Sequence, residues 1–179
     1  MSSSAPDGAR NLCDYLARNA RNRPEAIALK NAIDGKTTAY EGLLRKAGGA
    51  AEILRQAGVA PGDRVGLYLD NSPEYAAFLF GVLGMGATAV PFNAALLPQS
   101  VAPLLADCGA KALVLTPQHL RAATHLAAPG GALEMFICAA PPPRELPGGT
   151  AFHPYTIDTL EGPPPRAAGT PDDLALILY

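Results

Sequence analysis

Between Glu74 and Asp107 the chain carries no charged side chain, and this uncharged stretch restricts the possible folds more than any other feature. Its first part, Tyr75 to Phe92, is nearly long enough to cross a bilayer, which takes about 20 predominantly apolar residues in a helix. Gly81, Gly84 and Gly86, followed by Pro91, Asn93 and Pro98, instead divide the run into a short helix, a strand and a turn. An isolated strand leaves its backbone polar groups unsatisfied in lipid. The run therefore predicts a buried helix, which Gly81, Gly84 and Gly86 let pack tightly on a sheet before the chain reverses into an interior strand, with no transmembrane segment. Ala87 to Phe92 is apolar on both faces, as a parallel strand covered by helices above and below should be.

The composition allows such a core, since 49% of the 179 residues are hydrophobic and 17% charged. A single domain of this length buries about 70% of its unfolded surface. The net charge of −2 and pI near 5.9 provide no basic face for phosphate backbones, which argues against nucleic acid as a partner. Cys13, Cys108 and Cys138 lie far apart, so they suit neither a disulfide framework nor a zinc site and are expected as reduced core thiols in a cytoplasmic protein. Residues 1–10 lack the apolar run of a secretory signal and are expected as a flexible tail before a domain spanning 11–179.

Strand and helix signals alternate along that domain. Asn11 predicts an N-cap, with Leu12, Tyr15, Leu16 and Ala20 on one helical face before Pro24. Ala26–Lys30 and Thr37–Tyr40 read as strands joined through an Asp34-Gly35 turn. A helix follows from about Glu41, with Gly58 at its end. Arg64–Leu69 reads as a strand, and Ser72-Pro73-Glu74 supplies a cap, a first-turn proline and a first-turn acid for the next helix, to about Leu83. Beyond the Ala87 strand, Pro98–Cys108 predicts a helix interrupted by Pro103, Lys111–Thr116 a strand, Pro117–Ala127 a helix and Leu133–Cys138 a strand. The proline- and glycine-rich region after Cys138 reads as an irregular connection, and Leu174–Tyr179 resumes as a strand. The alternation implies right-handed crossovers and an α/β fold with a largely parallel sheet.

Several local patterns resemble functional motifs without their context. Gly84-Met85-Gly86-Ala87-Thr88-Ala89 fits a dinucleotide fingerprint, but it leads from a helix into a strand, the reverse of what presents a helix N-terminus to pyrophosphate. Gly35-Lys36-Thr37 lacks the glycine five places earlier that a phosphate loop needs. His119, His125 and His153 have neither metal-ligand spacing nor a neighbouring carboxylate cluster and are expected as surface residues. No serine lies in a G-x-S-x-G context.

Taken in order, several segments resemble the N-terminal third of the AMP-forming acyl-CoA synthetases, members of the adenylate-forming superfamily that join a carboxylic acid to coenzyme A through an acyl-AMP intermediate. Asn11-Leu12 through Arg23-Pro24-Glu25-Ala26-Ile27-Ala28-Leu29 is similar to the family's opening helix and first strand. Thr38-Ala39-Tyr40-Glu41-Gly42-Leu43 resembles T-Y-x-E-L, with Gly42 in place of its glutamate. Gly58-Val59-Ala60-Pro61-Gly62-Asp63-Arg64-Val65-Gly66-Leu67 resembles G-V-x-x-G-D-R-V-A-L and continues into Asn71-Ser72-Pro73-Glu74-Tyr75. Leu83–Asn93 is similar to L-x-A-G-A-x-x-x-P-L-N, with Gly84 where a basic residue is common. Asp172–Tyr179 resembles the strand leading into the T-S-G-T-T-G-x-P-K-G phosphate loop.

The resemblance implies an incomplete N-terminal portion of the acyl-CoA synthetase large domain, truncated before the phosphate loop and inactive alone. It places the groups that handle ATP and Mg2+ after Tyr179, so no catalytic residue and no metal ligand are expected here, and Tyr179 is at most the threshold of that loop. ATP, Mg2+ and CoA are expected for the complete enzyme and none of them for this chain alone. Arg121 matches an arginine that meets the CoA nucleotide in some relatives, and a guanidinium suits phosphate. Its alternative is an exposed helix arginine with no ligand. The expected partner is the remainder of the ligase, or a second copy through exposed apolar surface. Pro91-Phe92-Asn93 favours an acid:CoA ligase over the start of an amino-acid adenylation domain, and a non-catalytic α/β interaction module remains a further alternative.

Overall fold

The structure is a computed structural model describing residues 8–127, 131–146, 149–156, 160–165 and 168–179. Helix α1 (Leu12–Asn22) begins where Asn11 accepts the amide of Cys13 through its side chain. The other end of that amide, Nδ2, donates to the carbonyls of Leu83 (2.9 Å) and Ala168 (3.1 Å), so one asparagine both caps α1 and fastens it to distant segments. Of the expected tail, residues 1–7 lie outside the described residues, and the Arg10 amide bonds the Asp14 carboxylate at 2.7 Å. Strands β1 (Ile27–Lys30) and β2 (Thr37–Ala39) form the expected antiparallel hairpin, followed by α2 (Tyr40–Gln56).

The main sheet contains β3 (Arg64–Tyr68), β4 (Thr88–Pro91), β5 (Ala112–Leu115), β6 (Met135–Cys138) and β7 (Ala151–Pro154), in the order β4-β3-β5-β6-β7 and parallel throughout. Helix α3 (Pro73–Gly84) connects β3 to β4, and α4 (Pro98–Cys108) connects β4 to β5. On one face Val65, Leu67, Ala112, Val114 and Ile137 pack with Ala50, Leu54, Ala77, Phe78 and Val82 of α2 and α3. On the other, Tyr68, Leu113, Leu115, Phe136 and Cys138 pack with Val101 and Leu105 of α4 and with Leu120. This two-sided burial explains the uncharged runs in the sequence. No helix among the described residues is long and apolar enough to cross a membrane.

Four details differ from expectation. The connection after Cys138 contains β7, a short strand ending in Pro154 whose partner ladder is supplied entirely by β6. The helix expected over Pro117–Ala127 breaks into α5 (Pro117–Leu120) and a 3-10 turn (Ala123–His125). Its buried residues Leu120, Ala123 and Leu126 recur every third position, a period that a 3-10 turn meets and an α-helix does not. Residues 174–179 lie parallel to β4 but share only the Ala89–Leu176 bridge, with Ala89 N–H bonding Ala175 C=O at 2.9 Å and Ile177 N–H bonding Ala89 C=O at 3.0 Å.

The fourth difference concerns the glycines of α3, expected to ease the packing of this helix on the sheet. Gly81 faces α2 instead: a Cβ there would lie 2.9 Å from Ala50 Cβ and 3.0 Å from the Ala47 carbonyl oxygen. At Gly84 it would meet Pro165 at 2.7 Å, because the segment 160–165 runs as a strap over α2 and α3. Small residues thus set a close helix approach that larger ones would force apart.

Candidate functional site

In an open parallel sheet, ligands bind beyond the carboxyl ends of the strands, at the place where successive connections leave to opposite faces. Here that place is beside β3 and β4, since α3 follows β3 onto one face and α4 follows β4 onto the other. Chain segments 92–97, 116–121, 138–140 and 155 assemble at this end because each directly follows a strand of the sheet.

On the α4 side, Tyr68 at the end of β3 is fully buried, and His119 stacks on its ring with centroids 3.6 Å apart and planes 13° from parallel. The Tyr68 hydroxyl donates to the carbonyl of Leu96. His119 Nε2 lies 3.1 Å from the carbonyl of Ala94, while Nδ1 lies 3.0 Å from Thr116 Oγ1 and 3.2 Å from the carbonyl of Tyr68. A carbonyl only accepts, so the contact with Ala94 needs a proton on Nε2, while Nδ1 faces both the Tyr68 carbonyl and the Thr116 hydroxyl, which can donate or accept. The loop 93–97 is closed internally as well, by the Ala95 amide on Asn93 Oδ1 (2.9 Å) and the Leu96 amide on the Asn93 carbonyl (3.0 Å). Tyr179 stacks on Phe92 and donates to Asp107 at 2.5 Å, a bond that pushes its hydroxyl up to about 12.

His119 therefore departs from the surface role expected of it. It is half-buried and makes specific contacts, whereas His125 is exposed and His153 bonds only the carbonyl of Pro154 among the described residues. Arg121, two positions after His119, is exposed at the C-terminal end of α5, and its guanidinium has no hydrogen bond or ion pair among the described residues. Neither Tyr68 nor His119 stood out as functional in the sequence. The available signal was Thr116-Pro117-x-His119, in which Thr116 caps the His119 amide and thereby aims the ring back at the sheet.

On the α3 side, Glu74 in the first turn of α3 accepts a hydrogen bond from the Tyr155 hydroxyl, and Phe78 meets the Tyr155 ring edge-on at 5.1 Å. Burial raises the Glu74 carboxyl above its ordinary range, and the Tyr155 bond offsets this in part. Burial, with Glu74 nearby, pushes the Cys138 thiol up to about 12, and burial next to Asp14 does the same to Cys13. Both thiols are poor nucleophiles in consequence. Among the described residues no group of three or more His, Cys, Asp or Glu side chains is placed to hold a metal ion.

A family model described as AMP-binding enzyme matches residues 16–179. A feruloyl-CoA synthase from Amycolatopsis is 36% identical over 168 residues, covering 94% of this chain and 30% of the relative. A fatty acid:acyl-carrier-protein ligase from Streptomyces coeruleorubidus is 32% identical over 168 residues, with the same 94% and 30% coverage. Among solved structures, a Mycobacterium tuberculosis fatty acyl CoA synthetase superposes with a TM-score of 0.70 at 24% identity, over 94% of this chain and 32% of that one, a likeness of fold. The chain thus spans about a third of the length of the relatives it matches.

Proposed function

The chain belongs to the AMP-binding enzyme family, and on that premise we propose that it is the sheet-bearing N-terminal part of a cytoplasmic acid:CoA ligase. The complete ligase activates a carboxylic acid with ATP and Mg2+ and passes the acyl group to coenzyme A. This part supplies scaffold and one arm of the CoA site, while the groups that stabilise the reacting phosphates are contributed by other residues of the enzyme. Leu97, Leu174, Leu178 and Tyr179 are exposed beside β4, and the remainder of the ligase is the partner whose contact covers them.

The observation that carries the CoA assignment is the placement of Arg121. It sits at the carboxyl end of a parallel sheet, two positions after His119, with its guanidinium exposed and unengaged among the described residues. A guanidinium presents a planar fork of donors that matches phosphate oxygens, and a charge-assisted bond of this kind contributes about 1.5–3 kcal/mol. Coenzyme A titrated into the protein and followed by NMR should shift the amides of α5 and of residues 93–97. Arg121→Ala should weaken that binding about tenfold, equivalent to about 1.4 kcal/mol. Equal affinity in the two proteins would leave Arg121 as an exposed arginine without a ligand.

The 32% identity to a ligase acting on an acyl-carrier protein supports a second acceptor, a carrier-borne pantetheine. Binding of a loaded carrier protein with no shift from free coenzyme A would favour that reading.

A further inference from the structure

Arg121 follows His119 by two positions, and His119 ties the end of α5 to loop 93–97. Loop 93–97 follows β4, α5 follows β5, and β3 lies between these strands in the sheet. No backbone ladder joins the loop to α5, because both lie past the paired residues of their strands. Two side chains span the gap instead: His119 Nε2 reaches the Ala94 carbonyl at 3.1 Å and the Tyr68 hydroxyl reaches the Leu96 carbonyl. Both anchors grip main-chain carbonyls, so they fix the path of the loop whatever side chains it carries. The stack of the two rings at 3.6 Å makes them one unit, and Tyr68 is fully buried.

We propose that Tyr68 and His119 are positioning residues that pin loop 93–97 to β3 and to α5, the helix that leads into Arg121, preorganising the CoA-binding end of the sheet. The inference rests on the acid:CoA ligase reading above. Preorganisation of this kind raises affinity by removing the ordering cost of the loop at the moment of binding. His119 does so by donating from Nε2 to the Ala94 carbonyl.

Hydrogen exchange, ring NMR and coenzyme A titration of the same variants test this. In the wild type, long-range correlations should place the neutral ring proton of His119 on Nε2. His119→Phe keeps a ring against Tyr68 but loses the donor, and Tyr68→Phe keeps the stack but loses the bond to Leu96. Each should speed exchange of the Ala95 and Leu96 amides about tenfold, leave those of Leu113 and Val114 unchanged, and weaken coenzyme A binding several-fold. His119→Gln, which retains a side-chain N–H able to reach Ala94, should recover both properties. Unchanged exchange at Ala95 and Leu96 would overturn the pin whatever happens to ligand binding. Faster exchange with unchanged affinity would overturn the positioning role. A wild-type protein that binds no coenzyme A while its variants loosen the loop would remove the ligand reading, and the positioning role with it.

Discussion

Gly48→Ala is expected to destabilise the protein by about 3 kcal/mol, although alanine is the better helix former by about 1 kcal/mol. A Cβ at Gly48, in α2, would lie 2.1 Å from the carbonyl oxygen of Pro163 and 2.7 Å from that of Gly162. Those atoms are backbone, in a segment stiffened by Pro163, Pro164 and Pro165, so no side-chain rotation relieves the overlap. The strap must lift instead, exposing Leu160, now 1% accessible, and breaking the bond from the Gly162 amide to the Arg45 carbonyl at 3.0 Å. Gly42→Ala in the same helix provides the control. Its Cβ would find only Thr38 Cγ2 at 3.7 Å, so the propensity gain of about 0.5–1 kcal/mol should appear undiminished. Urea denaturation of the two variants checks the opposite signs, and limited proteolysis should cut Gly48→Ala within the strap. Gly48→Ala matching Gly42→Ala in stability would mean that the strap does not lie on α2.

Tyr155→Phe should lower stability by about 2 kcal/mol, because it removes the hydroxyl that donates to Glu74 and leaves a desolvated carboxyl without that partner. The same pair gives the stability a pH dependence of defined sign. Burial raises the folded-state pKa of Glu74 above its ordinary value of 4.5. Between the unfolded and folded values the native state therefore holds more protons than the unfolded state, and stability falls as pH rises through that window. The Glu74 contribution is fully present below pH 4.5 and is lost once the pH has passed the raised value. In Tyr155→Phe the offsetting hydrogen bond is absent, so the decline should extend to higher pH. Glu74→Gln should abolish this component. Denaturation midpoints of the three proteins across pH 4–8 measure it, and a slope unchanged in Glu74→Gln would assign it to another group.

The first half of the fold was legible in the sequence because its signals are local. Asn11 and Ser72 cap the helices they were expected to cap, Asp34-Gly35 turns the hairpin, and the uncharged stretch after Glu74 becomes α3 and β4 with helices on both sheet faces. Where structure depends on distant partners the sequence was mute. Ala151–Pro154 is short, sits among prolines and glycines, and becomes a strand only because the edge of β6 lies open beside it. The glycines of α3 were recognised as packing residues, but which surface they accept depends on a strap some eighty positions later, where Pro165 meets Gly84. The same holds for the site. Thr116 capping His119 is a local event, whereas the contact of His119 with Ala94 spans 25 positions and that of Tyr155 with Glu74 spans 81. Arg121 was selected by resemblance to a family pattern, and the structure adds its exposure.

In the proposed function this polypeptide is a scaffold that contributes to coenzyme A binding while the adenylating groups lie in other residues of the ligase. ATP–pyrophosphate exchange, assayed with a panel of aliphatic and aromatic acids on a purified preparation of these 179 residues, tests this most directly. No exchange above the rate without protein is predicted for any acid. Acid-dependent exchange that co-purifies with the chain would place the reacting machinery within it and contradict the account.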